Sequence, residues 1–133
     1  MSDSILHECG VALVRLRKPL SYYIEKYGPA YGMNKMYLLM EKQHNRGQDG
    51  AGIANIKIDQ EPGLRYISRY RSMKSQPVAA LFKKIGKKYH RAQKEGKEKF
   101  RDEKWLKRHL SFSGELWLGH LRYGTHGYNS IEN

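Results

Sequence analysis

Apolar residues fall in short, separated runs along this chain, and the spacing within each run predicts an element. Cys9 to Leu16 (CGVALVRL) is apolar and carries β-branched valines, which predicts a buried strand ended by Lys18-Pro19. From Tyr31 to Gln43 the apolar positions, Met33, Met36, Tyr37 and Met40 among them, recur at three- and four-residue steps. That period predicts an amphipathic helix, with Gly47 and Gly50 breaking the pattern after it. Gly52 to Ile58 and Leu64 to Tyr70 favour strands, and Glu61-Pro62-Gly63 between them is turn chemistry, so the pair reads as an antiparallel hairpin.

Pro77 suits the first turn of a helix whose apolar face is Val78, Leu81, Phe82 and Ile85. The stretch that follows has few apolar anchors (Tyr89, Phe100, Trp105, Leu106 and Leu110) and reads as a solvent-facing helical excursion hinged near Gly96. Glu115 to Tyr123 returns to strand character, and Gly124 to Gly127 closes it in a turn. The predicted order is strand, helix, strand pair, helix, strand. It implies an α+β fold with an antiparallel sheet, the Cys9 strand near its centre and the Tyr31–Gln43 helix on one face.

Composition adds bounds to this outline. The 133 residues suit one domain or a piece of a larger one, and 39% hydrophobic residues can supply a core. No apolar run reaches the roughly 18 residues of a spanning helix, Met1 to Glu8 do not read as a secretory signal, and one cysteine cannot form an internal disulfide. A cytoplasmic protein without a membrane partner is the expectation. The net charge of +12 is concentrated: Lys83 to Arg108 hold twelve basic and four acidic residues, two-thirds of the excess. Tyr89, Phe100 and Trp105 are interleaved there, so a basic module for nucleic acid or an acidic protein is the alternative to catalysis. Lys94, Glu98 and Asp102 stand four apart, which favours local ion pairs on a solvated helical face over a nucleic-acid partner.

Three clusters carry candidate chemistry: Cys9-Gly10-Val11, the segment from Gln43 to Gly52, and the segment from Gly119 to Gly127. Singly, each has an ordinary explanation: a core cysteine, a glycine-rich turn, a loop satisfying its own backbone. His7, Cys9 and His126 match no common zinc spacing, and no metal site is expected. Together, in this order, the clusters resemble the N-terminal glutaminase domain of class II glutamine amidotransferases, the amidophosphoribosyltransferase branch above all. That family is similar in carrying Cys-Gly-Val, then Gln-His-Arg-Gly-Gln-Asp-x-Ala-Gly, then Gly-His-x-Arg-Tyr-x-Thr-x-Gly. The likeness spans most of the chain from Cys9. It departs at an extra Asn45 and at a longer basic insertion, about residues 86–109.

The resemblance implies an N-terminal-nucleophile hydrolase fold of αββα layers, incomplete in a chain of this length. It implies that residues 1–8 are a leader removed on maturation, and that 9–133 are the N-terminal part of a glutaminase domain. Cys9 would be the catalytic nucleophile. Arg122, Tyr123, Thr125 and His126 would bind glutamine, the arginine gripping its α-carboxylate with a planar fork. Arg46 would support the Cys9 end of the site. The family's His-Asn-Gly segment, whose asparagine and glycine complete the oxyanion hole, and the aspartate that receives the substrate amine would follow beyond Asn133. No cofactor is implied for this part, and magnesium would belong to a phosphoribosyltransferase domain. Ammonia would pass to a synthase domain of the same polypeptide, in a transferase acting on phosphoribosyl pyrophosphate in purine biosynthesis, a homo-oligomer at full length. A sister branch such as glucosamine-phosphate synthase shares the Thr125-His126-Gly127 likeness and is the alternative acceptor class.

Overall fold

The computed structural model describes residues 9–43 and 48–123. Within them the fold is α+β, with one open, four-stranded antiparallel sheet. Its strands are β1 (Gly10–Arg15), β2 (Gln48–Ile56), β3 (Ile67–Ser72) and β4 (Leu116–Tyr123), in the order β1-β4-β2-β3. The predicted hairpin is present as β2 and β3, with Ile53 against Tyr70 and Ile56 against Ile67. The strand that follows Cys9 is an edge strand and not a central one, which corrects the expectation. The last strand, β4, takes the inner place between β1 and β2.

Four helices accompany the sheet: α1 (Leu20–Tyr27), α2 (Tyr31–Lys42), α3 (Pro77–Gly96) and α4 (Glu103–His109), with a 3-10 turn at Lys97–Arg101. Side chains alternate along β4: Trp117, Leu121 and Tyr123 are buried, whereas Leu118 and His120 are exposed. The buried set faces the helices. Met36 and Met40 of α2 close over Gly119, where an added Cβ would lie 2.7 Å from both side chains. Val78, Leu81 and Ile85 of α3 join the same core, as the helical period predicts.

The opposite face of the sheet has no described helix upon it. Val11 is 69% exposed and Leu13 55%, next to Leu118 at 37%. Apolar area of this kind is what a sheet ordinarily buries against another layer.

Two segments differ from their sequence reading. Leu20 to Tyr27 forms a helix where none was expected; Gly28, at φ 106°, ends it by donating to the carbonyls of Tyr23 and Ile24. The basic stretch is not an excursion. Helix α3 runs unbroken through Gly86, and Tyr89, Ala92, Leu106 and Leu110 are buried in the main core. The chain does turn at Gly96, the last residue of α3, where the Trp105 ring leaves no room for a Cβ. Lys97 follows at φ 52°, and Asp102 caps α4 by accepting from the Trp105 amide.

Candidate active site at the β1–β4 end

The β1–β4 ladder pairs Gly10 with Leu121 and Val11 with His120. Continuing that register by one residue sets Cys9 against Arg122. The alternation of β4 turns Arg122 away from the helices, and Cys9, which precedes β1, is exposed. Directly opposed residues of an antiparallel pair have Cβ atoms about 4.5–5.5 Å apart. If the pairing extends to Cys9, its thiol and the Arg122 guanidinium fall within the reach of one small amino acid.

On its other flank Arg122 pairs with Gly50 of β2. Between Gln48 and Gly50 the ladder slips, leaving Asp49 as an extra residue beside the site. Such bulges re-aim the side chains around them. His120 shares the open face two residues before Arg122, between Val11 and Gly52. The sequence reading quoted His120 within its motif and gave it no role.

Gln43 is the second residue that reading left without a role. Its Nε2 donates to the Val11 carbonyl at 3.2 Å, and its own carbonyl accepts from the Tyr123 hydroxyl at 3.4 Å. It thereby ties the start of β1 to the end of β4, the two strand ends that carry Cys9 and Arg122. Its Oε1 would lie 2.8 Å from a Cβ on residue 10, so glycine there lets the amide close on the strand. Its place at the head of the Gln43–Gly52 motif is the one sequence signal it gives, and that signal does not say which strands it joins.

Tyr123 is buried on the helix side of the sheet. Its ring lies on the face opposite Arg122. Arg46, Thr125 and His126 lie outside the described residues. Among the described residues no three of histidine, cysteine, aspartate and glutamate gather as metal ligands would, and no helix is long and apolar enough to cross a membrane.

At the opposite end of the sheet a hollow of about 500 Å³ is lined by Arg15, Glu103, Lys107 and Glu115, among others. Its floor is internally satisfied. Lys107 Nζ donates to Glu115 Oε2 at 2.8 Å and to the Ile58 carbonyl at 2.6 Å, while the Ile58 amide donates to Glu115 Oε1. Lys57 Nζ donates to the Lys107 carbonyl at 2.7 Å, and burial, aided by the Lys107 and Arg65 cations, lowers its pKa to about 8. This network joins the β2 exit to α4 and the start of β4, and its bonds account for its residues as structural.

No family model, no curated protein and no solved structure matches the chain.

Proposed function

We propose that the chain is the glutaminase part of a class II glutamine amidotransferase, with an N-terminal-nucleophile type of fold and Cys9 as its nucleophile. One observation supports the reading: the β1–β4 ladder ends at the Gly10–Leu121 pair, so Cys9 and Arg122 are the next residues of two paired strand ends. The reaction needs both residues, because glutamine presents a carboxylate to be held and an amide to be attacked.

Arg122 grips the α-carboxylate through its planar fork. The α-amino group of Cys9, freed once residues 1–8 are removed, takes the thiol proton. An α-amine with an ordinary pKa of roughly 7.7–8.0 is matched to that task near neutral pH. The thiolate adds to the amide carbon, and the tetrahedral oxyanion collapses as the carbon–nitrogen bond breaks. The proton goes to the departing nitrogen, so ammonia leaves and a thioester remains. Water then cleaves the thioester to give glutamate and the free thiol. Gln43 takes no part in the chemistry; it holds the two strand ends in register. The open apolar face bearing Val11, Leu13 and Leu118 agrees with a family in which a second sheet covers the first. The ammonia would go to phosphoribosyl pyrophosphate on a synthase domain, a choice that rests on the Gln48-Asp49 segment alone.

The test compares ammonia release from glutamine by the natural polypeptide matured to begin at Cys9, by the same protein with residues 1–8 retained, and by Cys9→Ala. The matured protein should turn over, and both others should fall by at least about 10³, the scale of losing a nucleophile or its base. Undiminished turnover with the leader in place, or in Cys9→Ala, would remove the proposed mechanism.

A further inference from the structure

Helix α3 turns a row of cations outward: Lys83, Lys87, Arg91 and Lys94 are all exposed, at steps of four, four and three residues. Helical steps of that size keep them on one side, over a length of about 16 Å. The helix carries no acid before Glu95. Ordinary surface helices mix signs; this face does not.

Two hollows flank the first turns of the same helix and share Ala79 and Lys83 in their walls. One, of about 540 Å³, is bounded by Arg71, Lys74, Lys83, Lys84 and Lys87, with the hydroxyls of Ser72 and Ser75 and no carboxylate. The other, of about 290 Å³, is apolar and aromatic, formed by Met33, Tyr37 and Phe82. Tyr37 stands edge-on to Phe82 and keeps 37% of its surface exposed. A solvated helix accounts for exposed lysines, but not for a carboxylate-free cationic hollow beside an open aromatic one.

We propose that this surface binds single-stranded nucleic acid, with phosphates in the cationic hollow and along Lys87, Arg91 and Lys94, and with one base against Tyr37. A strand carries one charge per ~3.4 Å in a duplex and stretches further when single, so the row with its hollow offers room for about four phosphates. Every base has a π-face, which makes an exposed tyrosine beside a phosphate track a platform without sequence preference. A duplex keeps its bases stacked inside and could not fill the aromatic hollow. An acidic peptide would meet the cations but has no obligatory planar group at that spacing. The site stands on the helix side of the fold and is independent of the Cys9 chemistry.

Fluorescence anisotropy of short labelled oligouridylate and oligothymidylate on the whole chain tests it. Binding should weaken with salt along a log–log slope of about −3, the value for about four single-strand phosphates. The pair Lys87→Glu with Lys94→Glu should weaken binding at least about tenfold and flatten the slope by about 1.4. The pair Arg17→Glu with Lys26→Glu, which changes net charge equally on exposed positions at and beside α1, should leave it within about twofold. Tyr37→Leu should cost about tenfold, while Tyr37→Trp, which keeps both packing and stacking, should bind at least as tightly as the parent. Circular dichroism of each variant establishes that it is folded. The proposal is overturned by absent binding at low salt, by equal loss in the two charge-reversed pairs, by duplex bound as tightly as single strand, or by displacement of the strand by polyglutamate at matched charge.

Discussion

Lys57 shows how much of one residue's behaviour is set by its surroundings. It is a buried lysine whose Nζ donates to the Lys107 carbonyl, an oxygen that also accepts from Gln60 Nε2 at 2.7 Å. Its pKa is lowered to about 8, first by burial and then by the Lys107 and Arg65 cations. In the unfolded chain the ammonium keeps its proton to near ~10.4. Between those two values the unfolded state binds more protons, so stability from this group rises with pH across that window and is flat below it. Water still reaches the ammonium in part, which limits the gain to on the order of 1 kcal/mol. Lys57→Met should abolish the rise, since Gln60 keeps the carbonyl paired; urea unfolding at stepped pH would show it, and an unchanged slope would assign the effect elsewhere. The sequence singles out Cys9 and Arg122 as candidates through the motifs that contain them. Gln43 and His120 stand in the same motifs without a role, because what they meet across the sheet depends on a register that a single sequence does not state.

At the scale of elements, the period of apolar residues located β1, α2, the β2–β3 pair, the start of α3 and β4. It could not order the strands, since the pattern of an edge strand with one buried face resembles that of an inner strand. Helix α1 was readable: Leu20, Tyr23, Ile24 and Tyr27 fall at the three- and four-residue steps of a helix directly after Pro19. Only Leu20 and Ile24 are buried, and that weak apolar face hid it. In the basic stretch, charge obscured the buried side made by Tyr89, Ala92, Leu106 and Leu110. Two glycines of α3 turn this into a measurement. A Cβ on residue 86 meets nothing within 4 Å, whereas one on residue 96 would lie 2.5 Å from the Trp105 ring. Gly86→Ala should therefore stabilise by about 0.5–1 kcal/mol through helix propensity. Gly96→Ala should destabilise by about 1–3 kcal/mol through overpacking. Thermal melts of the two variants with the same sign would mean that the α3–α4 corner is not packed as described.

For the whole molecule, the sheet divides two kinds of surface. Helices cover one side and bear the cation row of α3, while the other side is open and partly apolar, with His120 and Arg122 at one end. The central claim is that Cys9 and Arg122 serve one glutamine. Alkylation of the matured protein tests it by comparing two electrophiles, diazo-oxo-norleucine, which carries the amino-acid carboxylate, and iodoacetamide, which does not. Intact mass should give a single adduct on Cys9 with the glutamine-like reagent, slowed by added glutamine. In Arg122→Ala that labelling should slow by about 10²-fold, the scale of a bidentate charge-assisted contact at 1.5–3 kcal/mol, while iodoacetamide should react with Cys9 at the parent rate. Equal slowing of both reagents, or labelling by diazo-oxo-norleucine that ignores Arg122, would contradict the shared site.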